Sequence, residues 1–140
     1  GMNSRFNLAL RERNGLVYTV ESVSSCYTDS GLWSVYFGCD PHDVGRCKKL
    51  VLKELSRLTD APLSASSLAA AKRQLIGQIG VSFDAFESVA IGMAKRFLHY
   101  GHTQTCEELC RRVEALTAEE LYQTACEVFK PERMLTLVYE

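Results

Sequence analysis

The stretch RERNGLVYTV (residues 11–20) changes character in its middle. Behind it, Met2, Phe6, Ala9 and Leu10 recur at helical spacing, which predicts a helix over residues 3–13. Asn14-Gly15 then supplies a left-handed stop, and Leu16 to Val23 is a run rich in β-branched residues. A helix should therefore turn a tight corner into a strand.

Outward from that corner the pattern continues. Turn chemistry at Tyr27 to Gly31 leads into Leu32 to Cys39, where Trp33, Val35 and Phe37 alternate onto one face. This is a hairpin with one buried side. Asp40-Pro41-His42-Asp43 reads as a helix start, with Asp40 as cap and Pro41 at the first helical position. Val44, Cys47, Val51, Leu55 and Leu58 mark the stripe that this helix buries.

Four more helix starts follow. Ser64 caps a helix whose face runs through Leu68, Leu75 and Ile79, with Leu63 and Leu68 as a hydrophobic staple and Gly77 and Gly80 weakening the far end. Capping boxes are predicted at Asp84 with Glu87, Thr105 with Glu108, and Thr117 with Glu120. The first opens a helix running to Gly101, the second a short one with Leu109 and Val113, and the third one that Pro131 stops. Met134 to Tyr139 should close the chain as a strand. The predicted class is α+β, a small, mainly antiparallel sheet with helices packed on one face. Three strands are few for so many helices, so part of the sheet is expected to be missing at the N-terminus.

Composition narrows the function. The 140 residues, 46% of them hydrophobic, suit a single domain (1–140) with its own core. A formal charge of −1 offers no basic stripe for nucleic acid, and no apolar run approaches the ~20 residues of a membrane span. Gly1-Met2 has no secretory n-region behind it, so the chain reads as a fragment or as carrying a cloning remnant at Gly1. Cys26, Cys39, Cys47, Cys106, Cys110 and Cys126 read as free thiols of a reducing compartment, which points to the cytoplasm.

Candidate chemistry is sparse. His99, His102, Cys106 and Cys110 come nearest to a zinc set, but Gly101 should end a helix between the histidines and keep them off one face. His42 reads as a surface residue. No G-x-S-x-G elbow, P-loop or G-x-G-x-x-G turn is present. Glu107-Glu108 and Glu119-Glu120 sit in first helical turns, where negative charge is stabilising without catalysis.

Arg11 and Tyr18 remain. Tyr18 lies about 10 Å into its strand at ~3.3 Å per residue, so both side chains can flank the same corner. A guanidinium and a phenol are donors, which suits them to negative charge growing on a carbonyl oxygen. They supply neither nucleophile nor base. On spacing alone, packing of Tyr18 in the sheet with its hydroxyl at the rim and of Arg11 over the helix end is the favoured account.

The stretch GMNSRFNLALRERNGLVYTVES (1–22), with Met2, Ser4-Arg5, Arg11-Glu12, Gly15-Leu16 and Tyr18, resembles the C-terminal, non-catalytic half of the pitrilysin and insulinase type of zinc metallopeptidases, which includes mitochondrial processing peptidase. The likeness extends through VYFGCD (35–40), LAAAKRQLIGQIGVSFDAFES (68–88) and LTAEELYQTACEVFKPERMLTLVYE (116–140). Phe6 stands where leucine is usual after Ser-Arg.

The resemblance implies a LuxS/MPP-like metallohydrolase fold whose N-terminal strand and helix are missing, and a fragment of a two-domain enzyme. It also implies that zinc and a general base reside in a companion domain or subunit carrying H-x-x-E-H, a motif absent from these 140 residues. Arg11 and Tyr18 would then contact a peptide or protein substrate and its oxyanion, while this chain alone holds no cofactor and is inactive. An inactive structural or partner subunit of the same fold is the alternative. The open sheet edge of such a fragment further predicts self-association.

Overall fold

A computed structural model describes residues 4–139. Gly1, Met2 and Asn3, including the Met2 position of the predicted helical stripe, lie outside the described residues, as does Glu140. The chain divides into two compact units, residues 1–61 with 125–140, and residues 62–124.

In the first unit the predicted opening helix is a π-helix over Asn7–Glu12. Its cause is local. Asn14 Nδ2 donates to the Ala9 carbonyl at 2.7 Å, and the Arg13 N–H, which an α-helix would send to Ala9, goes to Leu8 at 3.1 Å instead. Gly15, at φ +60°, closes the end with its N–H to Arg11 at 2.8 Å, and Leu16 N–H reaches Leu10 at 2.9 Å. Both bonds are one residue wider than in the usual left-handed cap. Arg46 Nη2 donates to Asn14 Oδ1 at 3.2 Å, tying α1 (Val44–Thr59) to this corner.

β1 (Val17–Cys26) and β2 (Gly31–Cys39) pair antiparallel from Cys26 opposite Gly31. They form a two-stranded sheet. Ala9, Leu10, Leu16, Val17 and Cys47 make the buried cluster, with Phe6, Val20, Phe37, Leu50 and Val51 packed around it. Trp33 lies between Phe6 (6.0 Å between ring centroids) and Phe129 (4.7 Å) on the same inner face. The predicted inner face is thus half-buried along β2, while its β1 partners Ser22 and Ser24 stay exposed. The closing strand is not formed: residues 134–139 follow the Pro131–Arg133 turn without a ladder partner among the described residues, and Leu135 and Tyr139 are exposed. β-prone residues make a strand only where another backbone accepts their N–H groups.

In the second unit α2 (Ala65–Phe83), α3 (Phe86–Tyr100) and α4 (Cys106–Ala115) bury Ile79 and Val113. Lys72 Nζ on α2 donates to the Glu114 carbonyl of α4 at 2.6 Å. Ser64 caps α2 by accepting from Ser67 N–H, and Thr105 with Glu108 forms the predicted capping box. Thr117 and Glu120 exchange the same reciprocal bonds ahead of α5 (Ala118–Val128). The box at Asp84 and Glu87 does not form. Asp84 keeps helical dihedrals (φ −74°, ψ −19°) as the C-cap of α2, and Ala85 takes the N-cap position of α3. Among the described residues no single helix is long and apolar enough to cross a membrane; α2 and α3 reach that apolarity only as a pair bent by 102°.

Candidate functional site

Tyr18 owes its direction to an irregularity in the hairpin. Val17 pairs with Cys39 and Thr19 with Gly38, so Tyr18 is the extra residue of a β-bulge. The bulge lets Val17 and Val20 both turn inward while Tyr18 and Thr19 turn outward, and Tyr18 is 70% exposed. Bulges re-aim side chains in this way, often beside functional sites. The reading of Tyr18 as a ring packed within the sheet is thereby excluded.

Its hydroxyl donates to Asp40 Oδ1 at 2.7 Å. That bond, and next the negative charge of Asp40, hold the phenol above its ordinary pKa. Asp40 is therefore not the helix cap that the sequence suggested. It stands at the N-cap position of the Pro41–Asp43 turn, yet its side chain makes no cap bond. The hairpin brings the phenol within reach, and the carboxylate is committed there.

Arg11 lies in the last turn of the π-helix with its carbonyl fixed by Gly15 N–H. Its side chain is exposed, and among the described residues no carboxylate pairs with it. Arg11 and Tyr18 thus both face outward from elements that meet at the Gly15 corner, without bonding to each other. One guanidinium and one phenol can bind an anionic or carbonyl oxygen; neither can attack a peptide bond.

A group of potential metal ligands lies beside this corner. Asp40, His42 and Asp43 bring ligand atoms within 4.8 Å of one another. However, Asp40 holds the Tyr18 hydroxyl, and His42 Nε2 lies 3.2 Å from Asp43 Oδ2. One histidine and two carboxylates bonded to their neighbours on a short turn do not fit a zinc helix of the H-x-x-E-H kind. His99 and His102 are separated by Gly101 in the left-handed conformation (φ +72°), and His102 Nδ1 lies 3.0 Å from the Tyr100 carbonyl. Cys106 and Cys110 lie one helical turn apart in α4, and all six cysteines are free. Glu108 and Glu120 have carboxyls held below the ordinary range, first by the backbone N–H groups of Thr105 and Thr117, as capping residues should.

Sequence reasoning missed Asp40 as the partner of Tyr18, and the bulge itself. A signal existed: counting the hairpin back from its turn carries the register to Asp40 beside the start of β1, and two residues between the apolar Val17 and Val20 break the alternation.

Comparisons with known proteins agree with the fold. Residues 1–75 match the peptidase M16 inactive domain family. An uncharacterized zinc protease of Streptomyces coelicolor is 27% identical over 138 residues, covering 99% of this chain and 30% of that protein. The mitochondrial-processing peptidase subunit beta of Bos taurus is 31% identical over 120 residues, 85% of this chain and 24% of the subunit. In solved structures, a chain of complex III2 from Candida albicans with Inz-5 bound superposes with a TM-score of 0.77 at 22% identity, over 90% of this chain and 30% of that one. This chain thus spans about a third or less of the relatives it resembles. It belongs to the peptidase M16 inactive-domain family.

Proposed function

We propose that the chain is the substrate-clamping, non-zinc part of a zinc endopeptidase, in which Arg11 and Tyr18 hold the peptide and stabilise the oxyanion of the scissile carbonyl. The observation that carries this reading is the bulge at Tyr18 beside the exposed Arg11: two backbone irregularities aim two donors out of one corner. A companion zinc site would supply the activated water and its glutamate base. Arg11 then binds substrate oxygens with a planar fork, and Tyr18 donates its hydroxyl proton to the oxygen that gains charge.

A second reading has its own support. The phenol has one proton, and in this structure it is donated in a hydrogen bond to Asp40. A tyrosine whose proton stays there is structural, as in an inactive partner or scaffold of the same fold.

The complete protein, isolated with whatever zinc-bearing half accompanies it, decides between them. Elemental analysis and peptide cleavage with and without chelator should give about one zinc per pair of halves and chelator-sensitive hydrolysis. Arg11→Lys should lower kcat by about 10²-fold, because an ammonium cannot replace the fork. Zinc-free protein without cleavage would make the chain a scaffold.

A further inference from the structure

Away from the Arg11 and Tyr18 corner, the second unit gathers positive charge that the peptidase reading leaves unused. The end of α3, the 101–105 link and α4 enclose an open groove of about 480 Å3, whose lining includes Arg96, His102, Gln104, Glu108, Arg111 and Arg112. Three guanidiniums face one carboxylate. Among the described residues none of the three arginines makes a salt bridge.

The carboxylate does not neutralise them. Glu108 Oε2 accepts the Thr105 N–H at 2.8 Å, and Glu108 N–H returns to Thr105 Oγ1 at 3.2 Å. That bond, made to the Thr105 backbone, is the main cause that holds the Glu108 carboxyl below its ordinary range, and three guanidiniums remain against one negative charge.

Arg96 is held in place from two directions. Its guanidinium lies 5.2 Å from the Tyr100 ring centroid, and its Nη2 is 3.5 Å from His102 Nε2. A His102 tautomer with Nδ1–H donating to the Tyr100 carbonyl leaves Nε2 free to accept from Arg96. Arg96 Nε, however, is buried and has no acceptor among the described residues. Among the described residues Arg112 Nη1 finds only Gln104 Oε1, at 3.5 Å. Arg96 thus keeps a donor that no acceptor among the described residues fills.

We propose that this groove binds a small multivalent oxyanion of the diphosphate class. Guanidinium forks match phosphate oxygens in pairs, and two linked phosphoryl groups offer enough oxygens for three arginines. The groove volume also falls within the ~300–1,000 Å3 of small-ligand sites, which one phosphate alone would leave largely to water.

Calorimetric titration of the intact protein with pyrophosphate at fixed ionic strength tests this, with citrate as a carboxylate anion in parallel. Saturable binding at one site is expected, weakened about 10-fold by Arg111→Ala and by Arg112→Ala. Both residues are exposed on α4, so folding should be intact by circular dichroism. Arg73→Ala, on an exposed position of α2 outside the groove, should bind as the parent does. An absence of saturable heat, or an equal loss in Arg73→Ala, would overturn the site. Citrate binding as tightly as pyrophosphate would overturn its assignment to phosphate chemistry.

Discussion

Removing the Tyr18 hydroxyl should cost catalysis that removing its acceptor does not. If Tyr18 donates to the oxyanion, Tyr18→Phe in the complete peptidase deletes one donor and should lower kcat by about 10²-fold with little change in KM. Asp40→Ala deletes the group that holds the same proton in the resting chain, at 2.7 Å. Because Tyr18 is 70% exposed, water takes the place of the carboxylate and the ring loses no buried packing. Competition for the proton therefore ends at small cost, and kcat should stay level or rise by at most about 5-fold, the scale of one exposed charged contact. Steady-state kinetics on both variants reads this directly. Ultraviolet titration of the phenol supplies an independent check, since Asp40→Ala should bring the raised Tyr18 pKa back down toward its ordinary value. A loss of kcat in Asp40→Ala as deep as in Tyr18→Phe would refute the competition and make Asp40 a positioning residue. An unchanged rate in Tyr18→Phe would remove the tyrosine from the chemistry altogether.

Two further outcomes concern the framework of the corner. Leu10 is wholly buried in the cluster that joins the π-helix to the hairpin, so Leu10→Ala should destabilise the protein by about 3–5 kcal/mol in denaturant unfolding, toward the upper end for such truncations. Burial, more than the neighbouring Cys39, pushes the Cys47 thiol up to about 11 from 9.0. A folded-state pKa above the unfolded one stabilises fully below pH 9 and loses that contribution as the pH rises through about 11. The unfolding midpoint should accordingly fall across that window, less so in Cys47→Ala. At neutral pH, mass spectrometry after alkylation should find the exposed Cys26 modified before Cys47.

Much of this framework was legible in the sequence because the features are local. Gly15 and Gly101 stop helices where a left-handed residue is needed, and Thr105 reaches Glu108 within a single turn. What escaped depended on partners. The π-helix and an α-helix share the same apolar spacing over one turn, and only the competition of the Asn14 side chain for Ala9 separates them. Asp84 has the residue type of a cap, yet the length of α2 decides which end of a helix it serves. Residues 134–139 carry strand propensity, but a ladder needs a second backbone. For the site, residue types pointed to Arg11 and Tyr18, while the register and the acid beside the phenol came only from the paired hairpin.

That acid bears on how the two readings of the chain differ. Arg11 and Tyr18 are donors in either case, and a donor cannot break a peptide bond without a nucleophile brought to the same carbonyl. In a clamp, substrate binding must present an oxygen negative enough to draw the single phenolic proton from Asp40. A ground-state carbonyl competes poorly with a carboxylate, whereas an oxyanion competes well. The exchange would then take place as charge develops, which makes the contact selective for the transition state and places its effect in kcat. In a scaffold nothing ever competes, and the bond serves only to brace the bulge against the start of α1. The same 2.7 Å contact thus has a catalytic consequence only where a second half delivers the attacking water.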